Sequence, residues 1–95
     1  IDEKEVSVRE DVRGACEILG LDPFYVANEG RFITIVKADH ATQALANLQK
    51  FELGKQARMI GVVKEEPQKT VVLKTTIGTS RILDMLSGEQ LPRIC

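Results

Sequence analysis

Few residues of this chain are equipped for chemistry, and they stand far apart. The 95 residues include two cysteines, Cys16 and Cys95, and one histidine, His40. Cys95 ends the sequence, in "GEQLPRIC". A thiol on an unanchored end gains no core packing, while its thiolate is a good nucleophile that also invites oxidation. Such a side chain can enter a narrow pocket without threading a returning chain behind it, so one sulfur can visit several active sites. The functional expectation for Cys95 is therefore a carrier thiol; the bland alternatives are an idle terminal thiol or an accident of truncation. Arg93 favours the thiolate and the terminal carboxylate opposes it. At an ordinary pKa of about 8.5 only a few per cent is ionised near pH 7, so an enzyme that loads the sulfur must help deprotonate it. Prenylation fits poorly, because its signal needs three residues after the cysteine.

The other candidates carry weaker signals. Cys16 falls in the apolar stripe of a helical pattern, where cysteine behaves as a small buried hydrophobe. His40 stands at the start of a second helical pattern with neither cysteine at a zinc-ligand spacing, which favours a surface residue over a metal ligand. In "GTSR", the amides of Gly78, Thr79 and Ser80 could form an anion nest and Arg81 could meet phosphate, although turn chemistry alone produces the same residues. No P-loop, dinucleotide fingerprint, nucleophile elbow or aromatic-basic platform is present.

Composition narrows the classes. With 43% hydrophobic and 28% charged residues, the chain reads as an ordinary folded domain with a thin core. A formal charge of -1 gives no reason to expect nucleic acid or a membrane surface. No apolar run is long enough to span a bilayer, and "IDEKEVSVRED" is too charged for a signal peptide, so a cytoplasmic setting with reduced thiols is expected. The start at Ile1 suggests a fragment of something longer.

The elements that would position these residues follow from periodicity. Ser7 and Glu10 have capping-box spacing, and Val12, Ala15, Cys16 and Leu19 recur at helical intervals, with Gly20 as C-cap and Asp22-Pro23 stopping the helix. "FYVA" and "RFITIVKA" read as a hairpin with Gly30 at positive φ in its turn. Asp39 is placed to cap a second helix with Ala41, Ala44, Leu45 and Leu48 facing inward, ending at Gly54. "RMIGVVKEE" and "TVVLKTTI" flank Pro67 as a second hairpin. The expected fold is α+β, a sandwich with helices on one face of a mostly antiparallel sheet. Residues 1–83 form the domain and 84–95 a mobile tail. From Ser87 to Cys95 that tail could span roughly 30 Å if extended.

Two stretches, "ACEILGLDPFYVANEG" and "ILDMLSGEQLPRIC", make the chain resemble the C-terminal domain of the HypE hydrogenase maturation factors, in the aminoimidazole ribonucleotide synthetase-like superfamily. The resemblance implies a homodimeric, ATP-dependent carbamoyl dehydratase. Its terminal cysteine would receive a carbamoyl group from the carbamoyltransferase HypF and carry it through dehydration to a thiocyanate. Cyanide would then pass to iron held by HypC and HypD, for the active site of nickel-iron hydrogenase. Cys95 matches the carrier cysteine, and Leu91, Pro92, Arg93 and Ile94 the run that presents it. Glu29, in "VANEG", matches a motif near the reaction centre and so becomes a proton acceptor or orienter; a solvated turn carboxylate is the alternative. Asn28 is a weaker companion. ATP and Mg²⁺ would be bound mainly by an N-terminal domain outside these 95 residues, leaving this portion inactive alone and without a cofactor or metal of its own. A regulatory small-molecule-binding module, or a protein-docking module acting through its tail, would suit the same fold.

Overall fold

The computed structural model of the chain describes residues 1–85. Two α-helices, α1 (Glu10–Leu19) and α2 (Ala41–Gln49), precede a two-stranded antiparallel sheet of β1 (Val71–Lys74) and β2 (Ser80–Leu83). Short 3-10 turns at Glu3–Glu5, Pro23–Tyr25, Ala38–His40 and Glu52–Gly54 shape the connections. The α+β class is as the sequence implies.

Helix α1 opens with Glu10 and Asp11, whose charges complement the positive end of the helix. It closes on Gly20, at φ 68, whose N–H donates to the Cys16 carbonyl. The expected capping box is absent. Arg9 occupies the N-cap without a side-chain bond, and the Ser7 carbonyl instead accepts from Arg31 Nη1 at 2.6 Å. Asp39 likewise does not cap α2, because it lies inside the Ala38–His40 turn and leaves His40 at the cap position. The inward stripe of α2 holds: Ala41, Ala44, Leu45 and Leu48 are its half-buried residues. Beyond α2 the chain doubles back so closely that a Cβ on Gly54 would run into the Leu48 carbonyl. Gly54→Ala is accordingly expected to destabilise the folded protein by roughly 1–3 kcal/mol, read as a lower urea midpoint.

The strands differ most from expectation. Neither 24–27 nor 31–37 is a strand; Pro23–Tyr25 is a 3-10 turn, and Gly30, at φ 80, turns the chain without closing a hairpin. The observed hairpin pairs Val71 with Leu83 and Lys74 with Ser80, so its second strand is 80–83 and not 58–66. Its loop is a tight turn in which Gly78 N–H donates to the Thr75 carbonyl at 3.0 Å and Thr75 N–H to Thr79 at 2.8 Å. Gly78 adopts φ 87, the positive-φ position that a three-residue hairpin loop with a bulge demands. On the other side of β1, Ile1 N donates to the Val72 carbonyl at 2.9 Å and Lys74 N to the Ile1 carbonyl at 2.8 Å. Asp2 N reaches the Ile60 carbonyl at 2.7 Å, so Ile1 and Asp2 lie between residue 60 and β1.

Burial explains why 31–37 and 58–64 remain outside the sheet. The chain exposes 8472 Å², against roughly 5,400 Å² for a packed protein of its mass. Its Cα radius of gyration is 14.9 Å, where about 12 Å is usual for this length. Among the described residues only Cys16 and Leu73 are fully buried hydrophobes, whereas Phe32, Ile33 and Ile35 are each more than 70% exposed. The alternation in "RFITIVKA" is therefore a strand pattern with no ladder neighbour among the described residues. Apolar surface on this scale is expected to make the isolated 95-residue chain bind the dye ANS and self-associate. Ile33→Lys with Ile35→Lys should lower both, measured by fluorescence and sedimentation; unchanged dye binding would mean these side chains are covered.

Candidate functional site

The segment 22–31 and the end of β2 meet through a set of long-range contacts centred on Asp22. One of its carboxylate oxygens accepts from Phe24 N at 2.9 Å, capping the Pro23–Tyr25 turn. The other pairs with Arg81 Nη2 at 2.7 Å. Arg81, on β2, also sits 5.9 Å from the centre of the Phe24 ring, within cation–π range. One turn residue further on, the Tyr25 hydroxyl accepts the backbone N–H of Asp84 at 3.0 Å. Three of the four side chains of "DPFY", Asp22, Phe24 and Tyr25, thus contact the chain where it leaves β2. Proline at the first position of the turn presets the backbone that aligns them.

Glu29 lies four residues beyond Tyr25, so the two Cα atoms are separated by at most about 14 Å. It is exposed, and its turn is tethered from the far side by the Arg31–Ser7 bond. Asn28 is exposed beside it. The structure therefore places the Glu29 turn and the root of the C-terminal run on the two ends of one short segment.

Gly78, Thr79, Ser80 and Arg81 do not assemble as a phosphate cradle. Gly78 N–H is spent on the Thr75 carbonyl, Thr79 N–H on the Thr75 hydroxyl at 3.2 Å, and Arg81 on Asp22. Turn chemistry accounts for "GTS", and the aspartate 59 positions earlier accounts for the arginine. Among the described residues no group of three His, Cys, Asp or Glu side chains could hold a metal, and His40 is exposed. No helix among them is long and apolar enough to cross a membrane. Cys95, with Leu91, Pro92, Arg93 and Ile94, lies outside the described residues, as does most of the expected tail.

Cys16 is a free, buried thiol. With Val12, Ala15, Leu19, Leu21 and Val26 it lines an open apolar hollow of about 280 Å³ beside α1. Cys16 is expected to resist a thiol reagent in the native protein and to react fully in denaturant; native reactivity equal to the denatured rate would mean that the helix opens readily.

What sequence reading missed was the Asp22–Arg81 pair and the Tyr25–Asp84 bond. "DP" was legible as a helix stop, but nothing local indicates that its carboxylate meets an arginine on a distant strand. The one available signal was composition, since Tyr25 is the only tyrosine in the chain.

The arrangement is that of an α+β domain whose Pro23–Tyr25 turn contacts the end of its second strand. The chain belongs to the AIR synthase related protein family, whose C-terminal domain it matches over residues 1–74. It is 50% identical over 93 residues to carbamoyl dehydratase HypE of Azotobacter vinelandii, covering 98% of this chain and 27% of that protein. To carbamoyl dehydratase HypE of Cupriavidus necator it is 48% identical over 95 residues, covering all of this chain and 27% of the relative. It superposes on a crystal structure of the hydrogenase maturation protein HypE with a TM-score of 0.88 at 46% identity, covering 100% of this chain and 32% of that one. A HypE structure in complex with ATP gives 0.86 at 46% identity, with 100% and 30% covered. A HypE–HypF complex gives 0.79 at 42%, with 88% and 27% covered. The chain thus spans little more than a quarter of the length of these curated relatives.

Proposed function

We propose that this chain is the C-terminal part of a carbamoyl dehydratase of hydrogenase maturation, with Cys95 carrying the carbamoyl group. The observation that supports it best is 50% identity to a carbamoyl dehydratase HypE across 98% of the chain. In the proposed sequence the Cys95 sulfur loses its proton and forms a bond to the carbamoyl carbon, displacing the donor's leaving group. ATP, a co-substrate held with Mg²⁺ outside these residues, gives its γ-phosphoryl group to the carbamoyl oxygen, turning a poor leaving group into phosphate. Two protons leave the nitrogen, phosphate departs, and a thiocyanate remains on the sulfur. Cleavage of the S–C bond then passes cyanide to iron and returns the thiolate, a step that takes up two electrons from a reductant supplied with the iron-bearing acceptor.

Within this scheme the described residues have two tasks. Glu29 accepts a proton from the carbamoyl nitrogen or orients the group that does. The Asp22–Arg81 and Tyr25–Asp84 contacts hold the root of the carrier run. Eleven Cα–Cα steps separate Asp84 from Cys95, a maximum span of about 36–40 Å, so Cys95 has ample length to approach the Glu29 turn. Leu91, Pro92, Arg93 and Ile94 would present the sulfur. Water must be kept from the activated group, since it would hydrolyse it and drain ATP. HypF as loading partner, the HypC–HypD iron scaffold as acceptor, a homodimer and a cytoplasmic setting with reduced thiols belong to the same proposal.

The test is intact-mass measurement on the full-length protein incubated with HypF, carbamoyl phosphate and ATP. The expected result is a carbamoyl increment located at Cys95, followed by loss of one water. An unmodified protein, with HypF shown to be active on a known acceptor, would sink the proposal.

A further inference from the structure

Three contacts reach the place where the chain leaves β2, and they come from a single short segment. Asp22 divides its two oxygens between capping its own turn and holding Arg81. Phe24 offers its ring to the same guanidinium. Tyr25 then takes the N–H of Asp84, one residue beyond the end of β2. At that place the ladder has stopped, and Val71, the β1 partner of Leu83, is the last residue it pairs. Without Tyr25 the Asp84 amide has no protein acceptor, and nothing else described holds the main chain beyond Leu83.

A simple hairpin needs none of this. β1 and β2 are already joined by their own register and by the tight turn at Thr75 to Thr79. The Arg81–Asp22 pair is also only partly sheltered, its side chains being 40% and 26% exposed, which limits what it adds to stability. The contacts do something the hairpin cannot: they fix the position of Asp84 relative to the Pro23–Tyr25 turn, and so to Glu29 four residues on.

We infer that Asp22, Tyr25 and Arg81 are positioning residues, a clasp that sets the origin and direction of the run leading to Cys95. This rests on the carrier reading above and adds to it. A tethered group finds its target with an effective concentration set by the length and origin of its tether. Ten residues lie between Asp84 and Cys95, so a shift of the root changes the set of positions within the sulfur's reach relative to Glu29. Neither Tyr25 nor Arg81 needs to touch the carbamoyl group to have this effect.

The experiment uses the full-length protein carrying Tyr25→Phe, which removes only the hydroxyl, Arg81→Gln, Asp22→Asn, and the last two combined. Three quantities are read: deuterium uptake of a peptide spanning Asp84, single-turnover rates of carbamoyl gain and water loss at Cys95, and KM for ATP. Tyr25→Phe is expected to raise uptake at Asp84 and slow the Cys95 steps by about 10-fold, within what a small misplacement costs. KM for ATP and the melting temperature should stay at wild-type values, which a general loss of structure would not allow. Because both partners belong to one pair, the combined Asp22→Asn, Arg81→Gln protein should be no slower than either single variant. Arg81→Lys, keeping the charge, should recover part of the rate. Wild-type rates in Tyr25→Phe and Arg81→Gln, or unchanged uptake at Asp84, would overturn the clasp while leaving the carrier reading intact. A wild-type protein that gains nothing at Cys95 would overturn both.

Discussion

Cys95→Ala in the full-length protein is expected to abolish carbamoyl gain altogether, with no residual increment at Cys16. The two sulfurs present a clean contrast. Cys16 is 5% exposed and packed into the apolar side of α1. Loading requires a thiolate to approach an electrophilic carbon, and a thiol sealed against a helix cannot do so without local opening. Cys16→Ala should therefore leave loading unchanged and cost only packing, roughly 1 kcal/mol of stability. Both variants can be followed by intact mass and peptide mapping after a single turnover. Carbamoyl gain in Cys95→Ala would place the carrier elsewhere and remove the chemical reason for the clasp. A regulatory or docking module would show no increment in either protein, and its binding would survive both substitutions.

The helices were legible because what makes them is local. Ala41, Ala44, Leu45 and Leu48 sit on one face by spacing alone, and that face is the half-buried one. Gly20 ends α1 for a reason contained in four residues. Helix starts were less so: Ser7 and Glu10 have the right spacing, yet the Ser7 carbonyl is engaged by Arg31, 24 positions away, and α1 begins three residues later. Strands depend on neighbours that the sequence does not name. "RFITIVKA" has the pattern of a strand and no partner among the described residues, while "SRIL", with a charge in four residues, pairs fully with β1 because a tight glycine turn delivers it there. Gly78 was visible, but its donors suit an anion nest and a hairpin bulge equally well until their acceptors are known.

The candidate site reads from the sequence as residues, Cys95 and Glu29, and not as an arrangement. A terminal sulfur and an acidic turn can be read from composition and resemblance. The contact joining their neighbourhoods cannot, since Asp22 and Arg81 are unremarkable singly and only the hairpin brings Arg81 back across the Pro23–Tyr25 turn. The same finding reassigns the arginine. A guanidinium already paired at 2.7 Å and resting on an aromatic ring would have to surrender both contacts to bind phosphate. In this structure the Arg81 guanidinium is engaged by Asp22 and Phe24.

Glu29→Gln supplies the sharpest separation between loading and dehydration. Loading needs only a thiolate at Cys95 and the donor's carbamoyl group, so the variant should gain the carbamoyl increment at the wild-type rate. Dehydration must also remove two protons from nitrogen, and a positioned carboxylate contributes about 10²–10⁴-fold to such a step. Glutamine keeps the size and the hydrogen-bonding oxygen but cannot accept a proton at neutral pH. The expected outcome is a protein that accumulates the carbamoylated form, with water loss slowed by that factor. Because Glu29 is exposed and makes no hydrogen bond among the described residues, the substitution should leave the melting temperature unchanged, so a slow rate cannot be attributed to unfolding. If water loss proceeds at the wild-type rate, Glu29 is a solvated turn carboxylate and the proton acceptor belongs to another part of the longer protein. If Glu29→Asp restores more of the rate than Glu29→Gln, the carboxylate itself is the requirement, and the one-carbon difference in reach measures how tightly the turn must hold it.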